Sequence, residues 1–256
     1  MSDAAWTYTL LCASAFFAGV MNSVAGGGTL LTFPALTSVI GPALANATST
    51  LALLPGSLAG AFAYRAELAP SRRFVLRMLA PSVAGGFVGA WLVGRDTSLF
   101  KTLVPWLILT AALLFVVQAP ISRWMRKHRP DHEPGTPAQA ALVGFQFLIA
   151  VYGGYFGAGI GILMITTLGL MGVGDIHRVN AVKTFLAALI NGASVVVFVR
   201  DGLVVWEFAA AMAGSAVAGG YLGARVARRL PASAVRYAVI VIGFGLSAFY
   251  FIRQYG

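Results

Sequence analysis

The residues able to do chemistry in this chain are few, and they fall into two similar sets inside apolar sequence. The first set is Asn22, Gly26-Gly27-Gly28-Thr29 and Asn46-Ala47-Thr48-Ser49-Thr50; the second is Gly157-Ala158-Gly159-Ile160-Gly161 and Asn180-Ala181-Val182-Lys183-Thr184. Glycine runs between apolar segments break helices and leave amide N–H groups without partners. In lipid such groups are tolerated only where they are buried in protein or line a cavity. At helical spacing Asn46, Ser49 and Thr50 share one face, as do Asn180, Lys183 and Thr184. Amides, hydroxyls and one ammonium suit a small anion. A lysine within an apolar span costs a few kcal/mol unless it snorkels, pairs or meets a ligand, and the nearest preceding acid is Asp175. Lys183 is therefore the leading candidate to hold an anionic group. Asn180, Thr184, Asn46, Ser49, Thr50, Asn22, Thr29 and the backbone of Gly26, Gly27, Gly28, Gly157, Gly159 and Gly161 are expected to complete one central site. Each element also has a plainer reading. The glycines would pack helices, Asn46 would cap one, and Lys183 would snorkel beside Arg178.

Other chemistries fit poorly. The glycine runs lack the lysine-serine/threonine ending of a phosphate-binding loop. Glu67, Asp96, Asp131, Glu133, Asp175, Asp201 and Glu207 lie in or beside loops. His128 and His132 fall in a polar stretch, His177 falls in a loop, and Cys12 is the one cysteine. No zinc-binding helix, serine elbow or intramembrane carboxylate pair is present. No enzymatic activity, resident metal or cofactor is expected, and a cation carrier would want carboxylate or imidazole within its spans.

The elements that must position these residues follow from composition. Of the 256 residues 59% are hydrophobic and 10% charged, against roughly 25% charge in a soluble domain. Apolar runs of span length recur, predicting an all-α polytopic membrane protein with membrane segments at 5–24, 28–40, 43–64, 74–94, 99–118, 138–156, 160–172, 179–199, 204–224 and 233–252. Segments 28–40 and 160–172 are short and read as broken or re-entrant, giving eight to ten crossings. The stretch 119–137, with Pro130, Pro134, Gly135 and Pro137, reads as a polar linker between two homologous membrane repeats, 1–118 and 138–256. A further glycine pattern, Ala84-Gly85-Gly86-x-x-Gly89-Ala90, recurs as Ala218-Gly219-Gly220-x-x-Gly223-Ala224 and suits close helix packing.

The net charge of +10 lies between spans, which argues for a lipid bilayer and against nucleic acid. Counting the short segments as crossings puts Arg65, Arg72, Arg73, Arg77, Arg123, Arg126, Lys127, Arg129, Arg178, Arg225, Arg228, Arg229 and Arg236 on one side. Arg95, Lys101, Arg200 and Arg253 remain on the other. That asymmetry predicts a cytoplasmic linker, both termini periplasmic or extracellular, and five segments per half. An odd number inverts one repeat relative to the other.

The chain resembles the TauE/SafE family of sulfite-exporter-like membrane proteins. The resemblance rests on Ala18-Gly19, on Gly26-Gly27-Gly28-x-Leu30-x-x-x-Pro34, on Asn46-Ala47-Thr48-Ser49, and on Gly157-x-Gly159-x-Gly161 with Asn180-Ala181-x-Lys183-Thr184. It implies an inner-membrane secondary transporter of a small sulfur-containing anion such as sulfite or an organosulfonate. An anion channel, or a carrier of a different small anion, is the alternative. The second glycine run has Ile160 in the place read as Gly27 in the first, so backbone there would approach a ligand less closely. Direction, coupling ion and oligomeric state, a homodimer included, are not readable from the sequence.

Overall fold

The computed structural model describes residues 3–24, 27–127, 135–173, 176–226 and 232–255, and helix dominates throughout. The first half comprises α1 (Asp3–Val24), α2 (Thr29–Thr37), α3 (Pro42–Ala63), the single-turn α4 (Arg65–Leu68), α5 (Arg72–Arg95) and α6 (Thr97–Lys127). The second comprises α7 (Thr136–Tyr155), α8 (Ile160–Leu170), α9 (Ile176–Arg200), α10 (Trp206–Val226) and α11 (Ala232–Tyr255). One order, a long helix, a short one and three long ones, thus runs twice, with α4 as the extra piece in the first half. The short helices are shorter than the sequence suggests. With 9 and 11 residues, α2 and α8 are about 14 and 17 Å long, too little for a ~30 Å hydrocarbon core.

The expected linker is also shorter at its start. Helix α6 continues past Pro120 to Lys127, because Ile121 to Lys127 tolerates helix well and the real breakers, Pro130, Pro134 and Gly135, come later. Residues 128–134 of the expected linker lie outside the described residues.

Among the described residues, six helical stretches are long and apolar enough by themselves to cross a membrane: Ala4–Asn22, Arg65–Arg95, Thr97–Ile121, Thr136–Tyr155, His177–Arg200 and Tyr237–Tyr255. Their outward faces carry large apolar side chains. Val241 is 70% and Ile252 72% exposed, and Trp6, Phe17 and Leu148 also face outward, as a lipid-facing surface requires. The chain is a multi-pass membrane protein. Helix α3 has comparable length but carries Asn46, Thr48 and Ser49, all buried. Polar groups in a spanning helix belong in the interior, where partners can satisfy them.

Packing pairs the halves crosswise. Helix α1 lies parallel to α10: Tyr8 meets Glu207 and the Cys12 thiol meets the Ala211 carbonyl at the same offset in number. The equivalent pair in the other sense is α5 with α7, also parallel, where Gln146 donates to Ser82 at 2.9 Å. Glycine makes both pairs possible. A Cβ at Gly154 would collide with the Gly86 backbone, and one at Gly219 with the Phe16 carbonyl. Helices α6 and α11 pack antiparallel, with Gln254 reaching the Thr102 carbonyl and Ser247 the Pro105 carbonyl. Helices α3 and α9 pack against each other, Gly60 facing Thr184. The buried core consequently spans both halves, from Leu11 and Phe33 to Phe198 and Met212.

Candidate functional site

The two glycine loops turn in the same way. Gly27 and Gly159 have φ of +86° and +82°, a left-handed backbone that side chains rarely adopt. In each loop the carbonyl accepts the N–H three residues on, Leu30 to Gly27 and Ile162 to Gly159, both at 3.0 Å. This equates Gly27 with Gly159 and sets Ile160 against Gly28. The sequence expectation that Ile160 replaces Gly27 is thereby corrected: backbone conformation fixes the register, and glycine is retained where φ is positive. Gly157, at φ +80°, donates to the Tyr152 carbonyl, and the Tyr152 hydroxyl holds the Ala158 carbonyl at 2.8 Å. Gly26 lies outside the described residues. Both loops abut the middle of α6, Gly27 at the Phe115 ring and Gly159 at Leu114 and Ala111.

Around the second loop three candidates come together. The Lys183 side chain lies across Gly161, which leaves room for its stem, and its ammonium donates to Asn180 Oδ1 at 3.2 Å. Asn180 is its one hydrogen-bond partner among the described residues, and no described carboxylate pairs with it; Asp175 lies outside them. Gly161 stands in the first turn of α8. The amides of Gly159, Ile160 and Gly161 donate to no backbone carbonyl among the described residues, so the partly positive helix start beside Lys183 has no backbone acceptor there. Thr184 faces away from this group, toward Gly60 on α3.

The first copy is built differently. Asn46 is 1% exposed and donates through Nδ2 to the Tyr155 carbonyl at the end of α7, at 3.0 Å. Its Oδ1 is buried without a donor among the described residues. Ser49 shares a 2.6 Å hydrogen bond with Thr32, while Thr50 donates to the Asn46 carbonyl. Asn22 does not reach toward a ligand with its carbonyl, because its Oδ1 accepts the Gly28 N–H at 2.7 Å. The Gly28 amide expected to be free is therefore occupied. Thr29 opens α2 and makes up the loop's edge.

The structure does not gather the two copies into one compact cluster. Thr184, next to Lys183, sits at Gly60, fourteen positions along α3 from Asn46, or about 21 Å at 1.5 Å per residue. Thr184 and Asn46 thus stand at different depths along α3. Thr32 was not among the sequence candidates. Its signal was weak, one of three threonines in a short apolar helix, yet it is fully buried against Ser49. Thr48 likewise works structurally, its hydroxyl accepting the Val205 N–H ahead of α10. A separate cavity of about 540 Å³ opens where α2 ends, lined by Thr37, Ser38, Lys101, Tyr250 and Arg253 among others. Thr37 and Tyr250 are hydrogen-bonded at its wall. None of the candidate site residues lines it.

Among the described residues, ten apolar helices in a doubled order, with broken helix starts facing a central helix and a lysine that no described carboxylate pairs with, define a multi-pass membrane protein of the transporter class. The profile of the Sulfite exporter TauE/SafE family matches residues 11–250, and the chain belongs to that family. Relatives include a "Probable membrane transporter protein" of Haemophilus influenzae, 27% identical over 91% of this chain and 90% of its own. "Probable membrane transporter protein YfcA" of Escherichia coli K12 is also 27% identical, over 91% of this chain and 86% of its own. "Probable membrane transporter protein YunE" of Bacillus subtilis is 25% identical over 93% and 96%. No solved structure matches the chain.

Proposed function

We propose that this protein is a secondary transporter of a small sulfur-containing oxyanion, sulfite or an organosulfonate, across the inner membrane, and that Lys183 holds the anion. The observation that carries the reading is the Lys183 ammonium, within the apolar span His177–Arg200, balanced by the neutral Asn180 alone among described partners. An ammonium offers three donors and a point charge to a pyramidal or tetrahedral oxyanion. The amides at the start of α8 that lack a backbone acceptor, with the Asn180 side chain, replace part of the anion's hydration, whose loss would otherwise be costly. The family's description as a sulfite exporter supports the choice of a sulfur oxyanion.

In this reading the halves are inverted repeats, 1–118 and 138–256, joined by a cytoplasmic linker over 119–137. Three features support it. The parallel pairs α1/α10 and α5/α7 exchange the halves, and Gly94 near the end of α5 abuts Asp201 before α10. Tyr8 on α1 and Thr48 on α3 both sit beside the start of α10, so short α2 acts as the return segment between them. The cations also divide. Lys101 and Arg253 line one cavity near the ends carrying Arg95 and Arg200, whereas Arg65, Arg72, Arg73, Arg77 and Arg178 belong to the opposite end. The termini are then periplasmic or extracellular, and the cavity at Lys101 and Arg253 is a vestibule that attracts anions.

Anion flux by the purified protein in liposomes tests the reading, comparing sulfite, sulfate, thiosulfate and a small sulfonate. Saturable, competitive uptake of sulfite or the sulfonate is expected. A protein that moves none of the four refutes it.

A further inference from the structure

Asn46 Oδ1 is a buried acceptor with no donor among the described residues, and the repeat says what kind of donor it lacks. Its counterpart, Asn180 Oδ1, accepts from the Lys183 ammonium at 3.2 Å. In the first copy the position of that lysine is Ser49, whose short hydroxyl is engaged by Thr32 at 2.6 Å. The Asn46 amide is also fixed in orientation. Its NH2 must face the Tyr155 carbonyl, since turning it over would set two acceptors 3.0 Å apart. The carbonyl oxygen is therefore left facing the protein interior at 1% exposure.

We propose that Asn46 Oδ1 is a ligand of a monovalent metal cation, sodium first, bound between α3 and the end of α7 in the place that the Lys183 ammonium takes in the other half. The surroundings suit a cation. Tyr155 is the last residue of α7, so the site faces the partly negative end of that helix. Ser49, one helical turn on from Asn46, and Thr32, bonded to it, add only neutral hard oxygens to this part of α3. No group of three or more His, Cys, Asp or Glu comes together among the described residues. Without a carboxylate, a divalent ion would be poorly compensated, and an anion would meet an acceptor where it needs a donor. Built-in charge in one half and a captured charge in the other would let the cation couple to anion passage. That coupling rests on the transport reading; the cation site itself does not.

The test measures radioactive sodium binding to the purified full-length chain without any anion present. Saturable binding near one ion per chain is expected, displaced weakly or not at all by N-methylglucamine. Ser49→Lys, which supplies an ammonium beside Asn46, should abolish it, and Asn46→Leu should weaken it by about tenfold or more, the scale of losing one bond to a charged group. Absence of saturable sodium or potassium binding in the unmodified protein overturns the proposal and leaves a water at Asn46. Undiminished binding in folded Ser49→Lys overturns it as well. Sodium binding without anion flux would defeat the transport reading and leave the site standing. Flux with no cation binding would do the reverse.

Discussion

The same five-residue pattern ends in different chemistry in the two halves. In α9 the asparagine meets an ammonium, and the lysine stem lies against the first turn of α8. In α3 the asparagine is bonded to the end of a helix and keeps an oxygen without a donor. The copies differ at Thr48/Val182 and at Ser49/Lys183, and the second difference sets a hydroxyl in one half against an ammonium in the other. The lesson is that the recurring helix order keeps its backbone devices, here glycine at positive φ and glycine where helices touch, while single side chains change the charge placed on them. Duplication of form does not imply duplication of role.

The comparison breaks most completely if the scaffold shared by the halves is lost. Gly154→Leu sets a side chain against the Gly86 backbone, in the α5/α7 seam that mirrors α1/α10. It should destabilise by about 3 kcal/mol or more, beyond ordinary overpacking because backbone cannot yield. Gly144→Leu on the same helix meets open space and should leave the folded yield and thermal midpoint near normal, as read by size-exclusion fluorescence. Equal loss in both would mean that the seam is not what glycine protects.

A finer test separates the two asparagines. Asn180→Leu strips the ammonium of its partner and should cost about 1.5–3 kcal/mol, the range for bonds to charged groups. Asn46→Leu, measured in sodium-free buffer, removes one neutral bond and an acceptor that already lacks a donor, so about 1 kcal/mol or less is expected. Thermal unfolding of the two variants side by side checks the order; a larger loss at Asn46 would erase the distinction drawn between the two asparagines.

Much of the helical layout is legible in the sequence because hydrophobic length and glycine or proline punctuation are local signals. The run 179–199 falls inside α9, and 204–224 covers α10 from its first residue, Trp206, nearly to its end. The pairing of Lys183 with Asn180 is legible for the same reason, being one turn of helix. What escaped depends on distance through space. Nothing local to Asn46 announces the Tyr155 carbonyl, 109 positions on, and nothing in Asn22 announces that it caps Gly28. The depth of each cluster was also hidden, since it follows from how α3 crosses α9 at Gly60 and Thr184. The seven residues 128–134 at the heart of the expected linker lie outside the described structure.

Lys183 carries the central claim, and its removal is the most direct test. In reconstituted liposomes Lys183→Ala should reduce anion flux to background while the amount of protein in the membrane stays near normal, and Lys183→Arg should recover only part of it, because a planar fork does not reproduce a compact ammonium. Flux and anion affinity in Lys183→Ala equal to those of the unmodified protein would contradict the account and return Lys183 to a lysine that merely reaches for the membrane surface.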